Sequence, residues 1–344
     1  MNNLARTPSR AAQVNKFMKI VRKFKQLVLI LLLAVLAAPA GELLRLEDSM
    51  DAMGATFTVI AYGEDRQKLQ DGVEAALNEA RRLDALLSNY RPDSEWSKIN
   101  RMAAVEPVVV SQESFDLLSF CVRFSRQSEG AFDITVGPLM RVWGFYRNRG
   151  RLPSKEEIEA VLPKVGSENI LLDPIHRTVR FSKPGVEIDP GGIGKGYAVD
   201  KMVERLKEYG ITSALISAGG SSIYGLGTPP GDTGWTVRIR HPRKWSETLE
   251  ELQLRDESLS TSGDYEKFFE AGGRIYSHLM DPRTGYPAVG TASVSVVAPQ
   301  TLTSEAWTKP FFVNGRAWAE KNKPKDLRVF ICEDKAEVTC AWLQ

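Results

Sequence analysis

The pattern of apolar and polar positions predicts a strand and then a long helix near the start of the folded part. Residues 56–62 alternate in polarity and are rich in β-forming side chains, which indicates a strand. Between residues 70 and 87, apolar side chains recur at the spacing of one helix face. The polar stretches 44–49 and 88–100 are predicted to be a lead-in and an irregular segment.

Two further helices are predicted from signals at their ends. Ser111 is a suitable N-cap for a helix that runs through Gln127. Ser154 and Glu157 have the spacing of a capping box, in which the serine and the glutamate each bond the other's backbone N–H. Both helices are therefore predicted to begin at a defined residue.

The last two helices are predicted over 195–209 and 304–313. The first of them ends at Gly210, a residue that suits a helix C-terminus. The second contains Pro310, which lacks an N–H and must lie in the first turns or kink the helix.

Short runs of β-forming residues predict the remaining strands. Strands and helices do not alternate strictly, which favours an α+β fold over a doubly wound parallel sheet. We therefore expect a single domain over 41–344, with mixed, largely antiparallel sheets and packed helices. The predicted strands are 178–181, 186–188, 214–217, 235–241, 259–262, 276–280, 293–298, 329–332 and 337–342.

Residues 1–40 have the pattern of a secretory signal peptide. A basic run without acidic residues precedes an apolar run over 27–38, and residues 38–40 read APA, which fits a cleavage site. The apolar run falls short of the roughly 20 residues that a membrane-spanning helix needs. We expect an exported protein; the alternative is an uncleaved N-terminal anchor, which would be its one membrane contact.

The net charge of the chain becomes negative when residues 1–40 are left out. The sequence holds 45 basic and 43 acidic residues, and seven of the basic ones lie in 1–40, which leaves 38 against 43. A nucleic-acid-binding domain would need a basic stripe on its folded surface. The sequence therefore predicts no nucleic-acid partner. Its hydrophobic content of 43% is ordinary for a globular protein.

The three cysteines do not predict a metal site. Cys121 lies in an apolar helical pattern and is expected in the core. Cys332 and Cys340 flank a predicted hairpin turn at 333–336, a register that would not place them opposite each other. A disulfide is thus possible but not favoured, and no His/Cys cluster has the spacing of a zinc site. Trp143 and Trp235 are expected in the core.

A glycine-rich segment is the strongest candidate for a binding site. Residues 187–200 read EIDPGGIGKGYAVD and run from a predicted strand through a loop into a helix. Glycines let backbone amides approach a phosphate closely, and a helix N-terminus favours an anion. Lys195 adds a full positive charge there. The glycine spacing is neither that of a P-loop nor that of a dinucleotide-binding fingerprint, so a plain glycine turn stays open.

A second segment, 278–287, reads HLMDPRTGYP. A histidine at a strand end followed by an Asp-Pro turn suits a general base on a rigid edge, although a structural histidine is the alternative. His176 and His241 are expected at the surface.

Three shorter segments complete the set. Residues 130–139 read GAFDITVGPL and offer a carboxylate in a turn, and residues 53–56 read MGAT at the start of the first predicted strand. In the irregular segment 88–100, Tyr90 could stack on a planar ligand, although half-buried packing is the alternative.

Taken in order, these five segments resemble the ApbE family, the FAD:protein FMN transferases. The resemblance extends from about Met53 to the last helix and depends most on the segments DPGGIGKGY and HLMDPRTG. It implies an ApbE-like fold, FAD as substrate, Mg²⁺ as cofactor, and an exported protein that acts in the periplasm or at the outer face of the cytoplasmic membrane.

The resemblance also implies a role for each matching residue. His278 matches the family's proposed general base, and Gly192 matches a residue whose backbone carbonyl binds Mg²⁺. The positions that match FAD contacts are Met53, Tyr90, Ala131, Phe132, Asp133, Asp189, Lys195 and Leu279.

The sequence departs from the family pattern at the start of the last helix. The family has an Asp and, four residues later, a Thr, both Mg²⁺ ligands; here Glu305 and Lys309 stand at those positions. Thr308 is one residue early, about 100° around a helix. Glu305 could still bind Mg²⁺ through its longer side chain, or the Lys309 ammonium could do part of the metal's work, or Lys309 could point away.

Three functions are compatible with these residues. The resemblance favours transfer of FMN from FAD to a Thr or Ser hydroxyl of a partner, a subunit of a membrane redox complex that carries an Asp-Gly-rich acceptor motif. The chain itself carries no evident motif of this kind. A non-catalytic FAD carrier and a pyrophosphatase that releases FMN and AMP are the alternatives, because function depends on the site and not on the fold.

Overall fold

The computed structural model of the chain describes residues 43–147 and 149–344. The predicted signal peptide lies outside the described residues. None of the helices in the described residues is long and apolar enough to cross a bilayer. The α-helices are α1 (Arg66–Leu87), α2 (Glu95–Met102), α3 (Gln112–Gln127), α4 (Gly137–Val142), α5 (Lys155–Val161), α6 (Gly194–Glu208), α7 (Thr301–Asn314) and α8 (Arg316–Asn322).

The strands form one large sheet and several small ones. The large sheet has eight strands in the order β1-β2-β6-β7-β10-β15-β16-β17, and every neighbouring pair is antiparallel. This confirms the predicted α+β class. The strands are β1 (Leu44–Ala52), β2 (Ala55–Gly63), β3 (Val108–Val109), β4 (Ile170–Asp173), β5 (Thr178–Phe181), β6 (Ser213–Ala218), β7 (Ser222–Leu226), β8 (Trp235–Arg240), β9 (Thr248–Leu254), β10 (Glu257–Gly263), β11 (Phe268–Ala271), β12 (Arg274–Ser277), β13 (Met280–Asp281), β14 (Tyr286–Pro287), β15 (Thr291–Ala298), β16 (Arg328–Glu333) and β17 (Thr339–Trp342).

Helices α1 and α6 cover one face of the large sheet. The alternation predicted for β2 places Phe57, Val59 and Ala61 on this face, where all three are fully buried. They pack with the apolar stripe of α1 and with Met202 and Leu206 of α6. Burying each large apolar side chain contributes about 1.5–3 kcal/mol, so this layer holds the two helices firmly on the sheet.

The hairpin β8–β9 covers the opposite face. Trp235, Val237 and Ile239 alternate inward along β8 and pack against Leu259 and Val297 of the sheet. Trp235 is buried as predicted, and Trp143 is buried in a separate cluster around α4 and α5.

Helices α3 and α7 build a third apolar layer beside β15. The rings of Phe124 and Trp307 meet edge to face at 5.0 Å between centroids, and Cys121 is fully buried next to them, as predicted. This layer fixes α7, the helix that carries Glu305 and Lys309.

Two predictions of irregular structure were wrong. Residues 44–49 belong to the edge strand β1, which pairs with β2 through its backbone and leaves polar side chains in solvent. Within 88–100, Ser94 caps the helix α2 through its hydroxyl.

Two predicted strands differ from the structure. Residues 186–188 are not a strand, because the backbone of Ile188 bonds the side-chain amide of Asn100 instead of a neighbouring strand. The predicted strand 276–280 ends at Ser277, and its last residue belongs to the two-residue strand β13.

The expectation that Cys332 and Cys340 do not face each other was wrong. Glu333 pairs with Thr339, so the hairpin loop has five residues and is longer than the turn predicted at 333–336. That register places the two cysteines directly opposite, and they form a disulfide.

Helix α7 begins earlier than predicted. The carboxylate of Asp200 on α6 accepts hydrogen bonds from the N–H groups of Thr301 and Leu302, at 2.7 and 2.8 Å. These two groups would otherwise lack partners at the helix N-terminus. Pro310 consequently lies ten residues into the helix and not in its first turns.

Candidate functional site

The glycine-rich loop is held in a defined shape by Asp189. One carboxylate oxygen accepts a hydrogen bond from the N–H of Gly191 at 2.6 Å, and the other accepts one from the Tyr146 hydroxyl. The backbone N–H of Asp189 donates to the carbonyl of Ile134 at 2.7 Å. Because the loop leads directly into α6, these contacts place the N-terminus of that helix at the site.

Two asparagines behind the loop were missed by the sequence analysis. The Nδ2 atoms of Asn89 and Asn100 donate to the carbonyl of Ile188 at 2.8 and 3.0 Å. The N–H of Ile188 donates back to Oδ1 of Asn100 at 2.8 Å. The segment around Tyr90 is thereby tied to the glycine loop, although about 90 residues separate them in sequence.

Tyr90 presents its ring to solvent beside the loop. Its side chain is 71% exposed, and its ring meets that of Tyr146 edge to face at 6.0 Å. Tyr146 lies below the Arg141 guanidinium, and its pKa is raised well above the usual range by burial and by the nearby Asp189 carboxylate. An exposed ring on such a support suits stacking on a planar ligand. Tyr146 and Arg141 had no recognisable signal in the sequence.

Met53 closes the site on the side of the large sheet. It lies in the turn between β1 and β2 with a φ of 51°, and its N–H donates to Oδ1 of Asp84 at 2.9 Å. Its sulfur would lie 3.8 Å from a Cβ placed on Gly194. Met53 therefore contacts the start of α6, next to the glycine loop.

Lys195 points toward the turn between β6 and β7. Its Nζ donates to the hydroxyl of Ser221, which donates in turn to the carbonyl of Ala218 at 3.3 Å. The ammonium is thus positioned at the N-terminus of α6 by a serine that the sequence analysis did not identify.

The segment 131–133 supports the loop from below. Phe132 is buried, and its ring would lie 3.2 Å from a Cβ on Gly192, so only glycine fits there without a shift. Asp133 is buried and accepts hydrogen bonds from Ser125 and Thr135 at 2.8 Å each, while burial raises its pKa. Ala131 is also buried. A cleft of about 470 Å³ adjoins Asp133.

His278 lies between β12 and β13, with Nδ1 3.1 Å from the carbonyl of Lys267. A carbonyl can only accept, so Nδ1 carries the proton and Nε2 is left as a free acceptor. Burial lowers the pKa of His278 to about 4, and the positive charges of Lys267, Lys309 and Lys195 act in the same direction. The imidazole is neutral at pH 7, so Nε2 is unprotonated; it is a weak base until an anion bound beside the lysines raises its pKa.

Leu279, the next residue, is buried and anchors His278. Its carbonyl accepts a hydrogen bond from the N–H of Ala288 at 2.8 Å, which ties the strand end to the following turn.

Glu305 and Lys309 lie one turn apart on α7. Glu305 is 2% exposed, and one carboxylate oxygen accepts from the N–H of Gly196 at the start of α6. Its other oxygen lies 3.9 Å from Nζ of Lys309, which donates to the backbone carbonyl of Glu305 at 3.0 Å. Burial lowers the pKa of Lys309 to about 8, although the Glu305 carboxylate opposes this.

A set of hydroxyl contacts fixes the rotation of α7 on the sheet. Ser304 bonds the hydroxyls of Ser258 and Ser260 at 2.9 and 2.7 Å, and Thr308 bonds that of Ser262 at 2.8 Å. Thr308 therefore faces the sheet, and a side of the helix about 100° away presents Glu305 and Lys309 to the glycine loop.

These residues do not fit a divalent metal ion. In the part of the chain that the structure describes, no group of three or more His, Cys, Asp or Glu side chains could hold one. Mg²⁺ requires near-octahedral oxygen coordination. Of the residues expected to supply it, Gly192 offers a single backbone carbonyl, Glu305 is already bonded to Gly196 and Lys309 brings an ammonium.

Comparison with known proteins places these residues in a family context. A model of the ApbE family matches residues 53–331. The chain is 31% identical over 294 residues to an FAD:protein FMN transferase of Haemophilus influenzae, an alignment that covers 81% of this chain and 84% of that protein. It is 33% identical over 262 residues to an FAD:protein FMN transferase of Treponema pallidum, with 71% and 72% coverage.

Solved structures agree with the sequence comparison. The ApbE protein of Thermotoga maritima superposes with a TM-score of 0.78 at 31% identity, over 86% of this chain and 96% of that one. The flavinyl transferase ApbE of Pseudomonas stutzeri, in its apo form, superposes with a TM-score of 0.76 at 30% identity, over 88% and 95%.

Proposed function

The chain belongs to the ApbE family, and on this premise we propose that it transfers FMN from FAD to a Thr or Ser hydroxyl of an acceptor protein, releasing AMP. Relatives of similar length carry the name FAD:protein FMN transferase. The observation that supports the proposal most is the position of His278, whose Nδ1 bonds the carbonyl of Lys267 at 3.1 Å and whose Nε2 is left as an acceptor.

The glycine loop would bind the pyrophosphate of FAD. Apart from Gly196, whose N–H donates to Glu305, the backbone N–H groups at the start of α6 and the ammonium of Lys195 form a positive surface there, with Asp189 holding the loop in shape. The exposed ring of Tyr90 and the sulfur of Met53 lie beside the same loop and suit contact with the planar flavin.

The transfer step needs a base and stabilisation of a leaving phosphate. Nε2 of His278 takes the proton of the acceptor hydroxyl while the hydroxyl oxygen bonds to the FMN phosphorus. The bond between that phosphorus and the bridging oxygen breaks, and AMP leaves with the electron pair. Lys195 and Lys309 stabilise the negative charge that grows on the departing phosphate. The product is a phosphoester-linked flavin.

We also propose that the protein works outside the cytoplasm. The signal-peptide pattern at 1–40 supports export. The disulfide between Cys332 and Cys340 supports it independently, because disulfides persist in oxidising compartments. A periplasmic acceptor, such as a redox-complex subunit with an Asp-Gly-rich motif, would share this location.

The proposal is tested by incubating the protein with FAD and a peptide that carries such an acceptor motif, in excess Mg²⁺ and separately in chelator. A gain in peptide mass of one FMN less one water supports the transferase in either buffer. A matched peptide with Val in place of the acceptor Thr must stay unmodified. If neither buffer yields a modified peptide, the transferase is wrong for this acceptor class.

A further inference from the structure

Lys309 places a full positive charge where the resemblance leads one to expect a metal ligand. Its position is set by contacts at the tip of the side chain. Nζ donates to the carbonyl of Glu305 at 3.0 Å, and Cε would lie 3.6 Å from a Cβ on Gly192. The side chain therefore extends along the glycine loop and does not turn away into solvent.

The ammonium keeps the capacity to bind a ligand. An ammonium has three donor hydrogens, and the structure pairs one of them with the Glu305 carbonyl. The carboxylate oxygen of Glu305 at 3.9 Å is too far for a good hydrogen bond. The side chain is 17% exposed, so part of it faces the space in front of the loop.

The charges already present match a pyrophosphate without a metal. Lys309 lies beside Gly192 in the glycine loop, and Lys195 lies in the first turn of α6, three residues further along the chain. The pyrophosphate of FAD carries two negative charges, which two ammonium groups neutralise. A divalent cation added there would raise the positive charge to four, against three negative charges from the pyrophosphate and Glu305, which leaves an excess of positive charge in a partly buried site.

Thr308, the residue before Lys309, does not restore the missing metal ligand. The hydroxyl of Thr308 donates to the Glu305 carbonyl at 2.7 Å and bonds Ser262 at 2.8 Å, and Thr308 is fully buried. Rotating it toward Lys309 would break both bonds and turn α7 on the sheet. The oxygen that would complete a Mg²⁺ site is therefore committed to the core.

We propose that the ammonium of Lys309 takes the place of the divalent cation, so that this enzyme binds and cleaves FAD without Mg²⁺. The claim that FAD is cleaved without Mg²⁺ rests on the proposed function. The claim that FAD is bound without Mg²⁺ rests on the geometry of α7. The proposal predicts that exchanging Lys309 for the family's Thr converts a metal-independent site into a metal-dependent one.

Metal binding is measured directly and independently of activity. Mn²⁺ is titrated into FAD-saturated protein and followed by electron paramagnetic resonance, and a parallel titration of FAD without protein is subtracted. The wild-type protein is expected to bind no more Mn²⁺ than FAD does by itself, whereas Lys309→Thr is expected to gain one site. The exposed Lys325, replaced by Thr, is the matched control and must behave as wild type. One tight Mn²⁺ per wild-type chain would overturn the inference.

Activity gives a second and separate readout. The rate of FMN transfer by the wild-type protein should be the same in chelator and in excess Mg²⁺. Lys309→Met, which keeps the length of the side chain but not its charge, should lose about 100-fold or more in either buffer, the effect of removing one electrostatic contact to the transition state. Lys309→Thr should be slow in chelator and be restored by Mg²⁺.

The two proposals fail in different ways. Loss of wild-type transfer in chelator with full activity in Mg²⁺ would overturn the metal-free site and leave the transferase standing. Absence of transfer in both buffers would contradict the transferase, and the Mn²⁺ titration would then still decide whether Lys309 excludes the metal. If Lys309→Thr does not fold, the wild-type comparison of chelator with Mg²⁺ decides by itself.

Discussion

The charge states of single residues determine what the site can do. His278 is neutral because burial disfavours its charged form and three lysines add repulsion. Its proton is fixed on Nδ1 by the carbonyl of Lys267, which directs the basic Nε2 away from that carbonyl. The imidazole of His278 is therefore unprotonated on Nε2 at neutral pH.

Replacing His278 by Gln should remove general base catalysis and leave FAD binding intact. The amide cannot take up a proton, and this kind of catalysis contributes about 10²–10⁴-fold. We expect the transfer rate to fall by that factor and the FAD dissociation constant to change little. Both are measured on purified protein, with the exposed His176 replaced by Gln as the control. An unchanged rate would remove His278 from the mechanism.

The same histidine makes stability depend on pH in a defined direction. Its pKa is about 4 in the folded state and about 6.5 when unfolded, so between these values the unfolded chain binds more protons. Stability rises with pH in that window and falls as pH drops from about 6.5 toward 4. The melting temperature of wild type should therefore decrease relative to that of His278→Gln over this range, and parallel pH curves would contradict the assigned pKa.

At the scale of elements, helix α7 is positioned by contacts that are distant in sequence. Hydroxyls of β10 set its rotation, and Asp200 on α6 caps its N-terminus. Burial raises the pKa of Asp200, while the hydrogen bonds from Thr301 and Leu302 favour its charged form. These contacts decide where Glu305 and Lys309 point.

Removing the cap should destabilise the protein and loosen the site together. Asp200→Ala leaves two N–H groups of α7 without partners, and loss of a cap costs about 0.5–2 kcal/mol. Urea denaturation should show that loss of unfolding free energy, with Asp200→Asn retaining most of it because Asn also accepts a hydrogen bond. Equal stability of Asp200→Ala and wild type would show that the cap contributes nothing.

The disulfide in the hairpin β16–β17 can be tested by counting the free thiols of the protein. Cys332 and Cys340 are joined in the structure, and Cys121 is the free cysteine in the described residues. Protein denatured without reductant should therefore react with one equivalent of iodoacetamide, and with three after reduction, as counted by intact mass. Three equivalents before reduction would mean that the disulfide does not form.

At the scale of the whole molecule, local sequence signals predicted the individual helices and strands well, but they predicted poorly how the strands pair. Alternation and caps placed β2, α1 and α3 within a few residues, because those signals act over neighbouring positions. The edge strand β1 was missed because its pairing needs only its backbone. The disulfide was missed because the loop spans 334–338 and not 333–336, which pairs Cys332 with Cys340 instead of with residue 337.

The residues of the site also fall into a group that local sequence signals predict and a group that they do not. The glycine loop and the histidine segment could be recognised because each is continuous in sequence. Asn100, Tyr146 and Ser221 could not, because each bonds a residue of the segment 187–200 that is distant in sequence, as Asn100 bonds Ile188 at a separation of 88 residues. Single polar residues in irregular segments carry no signal of such partners.

The proposed mechanism depends on attack at FAD by the acceptor hydroxyl and not by water. Quantifying AMP, free FMN and flavin-linked peptide in one reaction distinguishes the two nucleophiles. We predict AMP equal in amount to the flavin-linked peptide, with no free FMN and no AMP when the peptide is omitted. AMP accompanied by an equal amount of free FMN would identify a pyrophosphatase, and bound FAD without any AMP would identify a carrier; either result would contradict the mechanism.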